Sequence, residues 1–136
     1  MTTFDITARP QTDERAAITA AVEDYVQGWY QADAERMARC LHPQLLKRLV
    51  RAEAEGLTAL HELSAAALVG LVRERAESTP PLVQLQEIAV LGTYGGIATV
   101  QAEMNDWVDY LHLGRFENGW KIVNVLWALK PREARI

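Results

Sequence analysis

The sequence predicts an α+β fold, a cone in which about three N-terminal helices pack on a strongly curved antiparallel sheet. Three observations predict it. Apolar residues recur at helical spacing as far as Val72, then alternate after Pro81. The segment Ser78-Thr79-Pro80-Pro81 divides the two regimes, and turn signals punctuate the second half at hairpin spacing. Helices first and a meander second is the pattern of an α+β domain with antiparallel pairing.

The first helix is expected to start at Pro10, Thr12 and Asp13-Glu14, because a hydroxyl can cap free N–H groups and carboxylates suit the positive end of the helix dipole. Ile18, Val22, Tyr25, Val26 and Trp29 mark one apolar face through about Gln31. Asp33 is placed to cap a second, shorter helix with Ala34, Met37, Ala38 and Leu41 on one stripe. His42-Pro43 ends it, since the residue before a proline disfavours helix. Residues 44–50 read as either a helical turn or a short strand, and 51–58 as an exposed, charged loop. Ser64 is expected to cap a third helix that turns Ala67, Leu68, Leu71 and Val72 inward.

Four strands follow, at about 83–91, 96–104, 107–116 and 120–129, with turns at 92–96, Asn105-Asp106 and Asn118-Gly119. Asparagine and glycine tolerate the positive φ that tight hairpins require. Two-residue turns at both asparagines set a register in which His112 lies opposite Val125 and Tyr110 opposite Trp127. One face then collects Ala98, Val100, Ala102, Met104, Trp107, Asp109, Leu111, Leu113, Trp120, Ile122, Asn124 and Leu126. The other collects Thr99, Gln101, Glu103, Val108, Tyr110, His112, Val123, Val125 and Trp127. One layer of helices covers one face, so the apolar face is expected to pair with a second copy, giving a homodimer. The mixed face has the composition of a ligand pocket, mostly apolar with a few orienting polar groups.

Composition narrows the function classes. The 136 residues suit a single domain spanning 1–136, and 49% hydrophobic with 24% charged residues is ordinary for a globular protein. A net charge of −4 and a pI near 5.4 offer no basic face for phosphate backbones, so no nucleic-acid partner is expected. Cys40 is the single cysteine, which excludes an internal disulfide and a thiolate cluster. The first ten residues lack the apolar segment of a signal peptide, and no apolar run reaches the ~18 residues of a membrane span. A cytoplasmic location without a membrane partner is therefore expected.

The segment Tyr25-Val-Gln-Gly-Trp-Tyr-Gln-Ala-Asp33, then Leu41-His-Pro43, and the closing Asp109-Tyr-Leu-His-Leu113 with Asn118-Gly-Trp-Lys-Ile-Val-Asn-Val-Leu-Trp127 resemble the nuclear transport factor 2-like superfamily. Within it they are most similar to a small bacterial group named for lumazine binding. The resemblance spans about residues 12 to 130 and implies a cystatin-like roll: helices closing the concave side over a pocket, the convex side forming a dimer. The superfamily includes ketosteroid isomerases, SnoaL-like cyclases, dehydratases, carriers and assembly domains, so the fold alone does not select an activity. Ketosteroid isomerases carry a pocket tyrosine on the first helix, placed before a turn aspartate much as Tyr25 precedes Asp33. They also carry an acid on the strand that His112 is expected to occupy, where this sequence has histidine.

His112 and Tyr25 are the candidate catalytic pair, the imidazole as acid or base and the phenol as donor to a developing oxyanion. The candidate ligand-binding set is Tyr25, Trp29, Tyr30, His42, Gln101, Glu103, Tyr110, His112 and Trp127. In it Trp29, Tyr30 and Trp127 supply flat surfaces for a planar guest, Gln101 and Glu103 orient it, and His42 either caps a helix or faces the pocket entrance. Lys47, Arg48 and Arg51 form a basic cluster near that entrance, which either attracts an anion or is a solvated face. Asp109 and Asn124 are expected to hydrogen-bond within the interface, Asp109 lying on the opposite face from His112 by odd spacing. Three histidines without regular spacing carry no metal signature, and no cofactor is expected. Three functions remain open: a dimeric binding protein for a small, planar organic ligand, an enzyme of the cyclase, dehydratase or isomerase type using His112, and a dimeric interaction scaffold.

Overall fold

Asp33 organises the first turn of the fold in the computed structural model, which describes residues 11–52 and 58–136. Pro10, expected at the helix start, and residues 53–57 of the expected charged loop lie outside the described residues. Helix α1 (Gln11–Tyr30) ends where Ala32 adopts a left-handed φ of 53°. The Asp33 side chain then accepts from Arg36 N at 3.0 Å and starts α2 (Ala34–Cys40). The two helices cross closely at Gly28, where a Cβ would stand 2.9 Å from the Met37 backbone nitrogen. Asp24 also ties them, accepting from Arg36 Nε at 2.8 Å and Arg39 Nη2 at 3.0 Å.

As expected, α2 stops short of Pro43. The chain runs directly into strand β1 (Leu41–Ala52), which forms a hairpin with β2 (Thr58–Ser64). This hairpin resolves the ambiguity at 44–50 and adds two strands to the four expected. Its letters hide the alternation: Leu45 and Lys47 point inward and are buried, while Leu46, Arg48 and Val50 alternate with them and are also mostly apolar. Ser64 Oγ accepts from Ala67 N at 3.1 Å and caps α3 (Ala65–Glu74). This helix buries Ala65, Leu68 and Val72, whereas Ala67 and Leu71 face outward.

Strands β3 (Glu87–Tyr94), β4 (Ile97–Glu103), β5 (Trp107–Phe116) and β6 (Gly119–Leu129) form the expected meander. The six strands lie in the order β2-β1-β6-β5-β4-β3, antiparallel except for the parallel pair β1 and β6. The sheet is curled but not closed, and the three helices pack on it. The α1 residues Ile18, Val22, Tyr25 and Val26 meet Val100, Leu111, Leu113 and Ile122 in one buried core. Each large aliphatic side chain fully removed from water there contributes about 1.5–3 kcal/mol. No described helix is long and apolar enough to cross a membrane.

Two expectations about the faces are corrected. The apolar face, expected to meet a second copy, is the core beneath the helices: Ala98, Val100, Ala102, Leu111, Leu113 and Ile122 are all at most 5% exposed. The apolar side of α1 needs an apolar partner, and this face is the one available. The second correction concerns β6. Its turn is centred on Glu117-Asn118, with Phe116 paired to Gly119 at φ 106°. His112 then pairs with Asn124 while Leu113 pairs with Ile122, so Val123 is an extra residue in β6. This bulge exchanges the faces of everything after it. Val125 and Trp127 move to the helix side, opposite Leu111 and Asp109, while Asn124 and Leu126 join His112 and Tyr110 outside.

Candidate functional site

Tyr25, Lys47 and Asp109 come from α1, β1 and β5 and meet on the helix side of the sheet. Tyr25 follows Val22 on the buried stripe of α1 and is 1% exposed. The parallel pairing of β1 with β6 sets Lys47 beside Val125 and so directs it inward. Its Nζ donates to Tyr25 Oη at 2.6 Å, its one hydrogen-bond acceptor among the described residues. The ammonium also lies 4.9 Å from the centroid of the Trp127 ring, a cation–π contact, and 5.0 Å from that of Tyr25, beyond its hydroxyl. Asp109 is completely buried. Trp107 Nε1 donates to its Oδ2 at 3.2 Å, and Oδ1 has no hydrogen-bond partner among the described residues.

Burial dominates the electrostatics. Loss of water pushes the Asp109 carboxyl up to about 6, against the pull of the Lys47 charge, the Trp107 N–H and the Tyr25 hydroxyl. Desolvation pushes Lys47 below its ordinary range, with the Asp109 charge opposing. Tyr25 is driven well above its ordinary value by burial and then by the neighbouring Asp109 charge, so the phenol stays protonated. The cluster can therefore donate from Lys47, accept at Asp109 Oδ1 and pass hydrogen bonds through Tyr25.

Three indoles flank this polar group. Trp107 packs edge-to-face with Trp29 at 6.0 Å and with Trp127 at 5.9 Å, and all three are half-buried. The Arg75 guanidinium lies 4.2 Å from the Trp29 ring centroid and donates through Nη2 to Thr79 Oγ1 at 3.0 Å.

Of the expected site residues, the structure brings Tyr25, Trp29 and Trp127 together here. Tyr30 is fully buried and bonds the scaffold: its hydroxyl donates to Leu85 O at 2.6 Å and accepts from Asn105 N at 2.9 Å. The remaining candidates lie on the outer side. His112 and Tyr110 are exposed, and Gln101 Nε2 donates to Tyr110 Oη at 2.7 Å. Glu103 is ion-paired with Lys130 at 2.8 Å. His42 Nδ1 accepts from Gln44 N at 3.0 Å, and its ring packs on Phe116 at 4.7 Å. His112 and Tyr25 thus stand on opposite sides of the sheet, and His112 and Trp127 do not share a face, because of the bulge at Val123. The basic cluster also separates: Lys47 turns inward, Arg48 pairs with Glu62 at 3.1 Å, and Arg51 is exposed.

Sequence reasoning missed Lys47 and Asp109 as partners of Tyr25. A carboxylate does stand on the strand facing Tyr25, but it is Asp109, three residues before His112. Its signal was available, since a lone aspartate on the most apolar strand face must be buried beside a compensating group. His112 instead borders an outer groove of about 540 Å³ with Tyr94, Ile97, Thr99, Phe116, Val123 and Asn124. No group of three histidine, cysteine, aspartate or glutamate side chains among the described residues could hold a metal ion. Cys40 is buried, donates to Met37 O, and has its thiol pushed up to about 12 by burial, which removes it as a nucleophile.

A curled mixed sheet closed on one side by three helices, with a polar group at the helix–sheet junction, defines a nuclear transport factor 2-like protein with the cystatin-like fold. The chain belongs to the family described as "Putative lumazine-binding", whose model matches residues 13–128. Among solved structures, a nuclear transport factor 2-like protein of unknown function from Silicibacter pomeroyi is 21% identical, with a TM-score of 0.71 over 90% of this chain and all of that one. Another from Shewanella baltica is 17% identical, with a TM-score of 0.70 over 90% of this chain and 98% of that one. A cystatin-like protein from Novosphingobium aromaticivorans is also 17% identical, with a TM-score of 0.64 over 98% and 96%. No curated protein matches the chain.

Proposed function

We propose that this protein binds a small planar heterocycle bearing a lactam edge, on the helix side of its sheet. The carrying observation is a buried lysine bonded to Tyr25 and a buried aspartate with one oxygen unpartnered among the described residues, set beside three half-buried indoles. A lactam presents a carbonyl acceptor next to an N–H donor. Its carbonyl suits the Lys47 ammonium and its N–H suits Asp109 Oδ1, while Trp127 and Trp107 offer faces and edges to the ring. The family description supports the same chemistry, since lumazine is a flat bicycle with such edges. Titrating lumazine against tryptophan fluorescence tests the reading. Saturable quenching is expected, weakened by Trp127→Ala and by Asp109→Asn. Absence of saturation up to millimolar lumazine, or affinity unchanged by both substitutions, would refute it.

We also infer that the outer face pairs with a second copy. Tyr94, Ile97, Phe116, Tyr110 and Leu126 leave it 40–84% exposed at five large apolar side chains, a patch that a two-fold contact can cover with itself. Sedimentation at micromolar concentration should show a dimer that Leu126→Glu dissociates; a monomeric wild-type chain would end the idea.

A further inference from the structure

We propose that Lys47 is a reactive amine that captures small aldehydes or ketones as an imine. Three features of its setting carry this. The side chain is 8% exposed, and its Nζ is hydrogen-bonded to Tyr25 Oη and lies 4.9 Å from the Trp127 ring centroid, so the amine is held rather than sweeping through solvent. Tyr25 Oη, 2.6 Å away, can accept from nitrogen and donate to a carbonyl oxygen. Asp109 is buried, acts on Lys47 through its charge, and has one oxygen unpartnered. Desolvation also favours the uncharged amine, the nucleophilic form. The inference uses the same polar group as the lactam reading but does not depend on it.

The step balances within these three residues. The Lys47 ammonium passes one proton, through the Tyr25 hydroxyl, to the Asp109 carboxylate. The free amine attacks the carbonyl carbon; a C–N bond forms as the π pair moves to oxygen. One nitrogen proton then transfers to that oxygen, through Tyr25, to give a neutral carbinolamine. The Asp109 carboxylic acid protonates the hydroxyl, the C–O bond breaks, and water leaves with both its hydrogens drawn from the original ammonium. The product is a protonated imine beside the restored Asp109 carboxylate. No redox partner is required.

The lysine count makes the test clean, because the sequence holds two others, Lys121 and Lys130. Lys121 donates to Arg39 O and Lys130 pairs with Glu103. The full chain is incubated near pH 7 with benzaldehyde or, in parallel, propanal, plus sodium cyanoborohydride, and modified residues are followed over time by peptide mass spectrometry. With at least one aldehyde, Lys47 is expected to be alkylated about tenfold or more faster than Lys121 and Lys130. Tyr25→Phe should slow Lys47 alone, and Lys47→Arg should remove the fast phase while circular dichroism stays native. Equal rates at the three lysines, or an unmodified Lys47 with both aldehydes, overturn the proposal. Lumazine binding without fast labelling retires only the amine, and fast labelling without lumazine binding retires only the lactam.

Discussion

Lys47 Nζ donates to Tyr25 Oη across 2.6 Å, a bond that joins the edge-side strand β1 to the middle of α1 beneath the core. It places a cation where water is excluded, with the Asp109 charge as its compensation. Buried ion pairs contribute little as pairs, yet breaking one exposes the full cost of the survivor.

Lys47→Met should therefore destabilise the fold by about 3–5 kcal/mol at pH 7, because the Asp109 carboxylate is left buried alone. The double variant with Asp109→Asn should recover most of that loss. Urea unfolding of the two variants and the parent checks it; a double variant no more stable than the single one would contradict the pairing.

Asp109 gives a pH dependence of defined sign. Its folded-state value near 6 lies above the ordinary 3.8, so between those values the folded chain holds a proton that the unfolded chain has lost. Stability from this group is complete below about 3.8 and falls as pH rises through about 6. The stability of Asp109→Asn relative to the parent should thus shift in the variant's favour by roughly 3 kcal/mol from pH 4 to 7, at about 1.4 kcal/mol per pH unit, on top of a constant cost for leaving Lys47 without its compensating charge. Asp24, lowered by Arg39 and Arg36 against partial burial, has the opposite sign and acts below this window. Denaturation midpoints of both proteins across the range measure the difference, and a flat difference would place Asp109 near an ordinary value.

Gly28→Ala tests the helix crossing. Alanine in a helix interior ordinarily gains about 1 kcal/mol over glycine. Here the added Cβ meets Met37 backbone at 2.9 Å, so the change should instead cost about 1–3 kcal/mol. A raised melting temperature would show that α2 can move aside.

The two sides of the sheet separate His112 from Trp127. His112→Ala, at an exposed position, should alter stability by less than about 0.5 kcal/mol and leave lumazine titrations unchanged. Trp127→Ala, losing contacts to Trp107 and Lys47, should cost about 2 kcal/mol, less than a fully buried tryptophan. Calorimetry on the pair distinguishes them, and equal effects would argue for a register without the bulge.

Much of the architecture was legible because it is written in short-range signals. Asp33 and Ser64 cap helices, Pro43 stops one, and the residues after Pro81 alternate. The β1–β2 hairpin was not, since leucine, lysine and arginine occupy both of its faces and blur the period of two. The bulge at Val123 carries no glycine or turn residue, and a parity error of one residue carried Trp127 to the wrong side and Leu126 with it. Tyr25 and Trp29 were placed correctly by helical spacing. Lys47 and Asp109 were not joined to them, because their contact depends on β1 lying parallel to β6, a pairing that no local pattern announces.

That parallel pairing also orders events at the ribosome. The amine on β1 emerges early, while the indole of Trp127 that it lies against arrives only with the last strand. Until then β1 has no neighbour on that side, and its buried-to-be cation remains hydrated in the nascent chain. A message cut short before β6 would thus yield Lys47 without the Trp127 ring it lies against, and a stalled intermediate would show an open strand edge where chaperones bind.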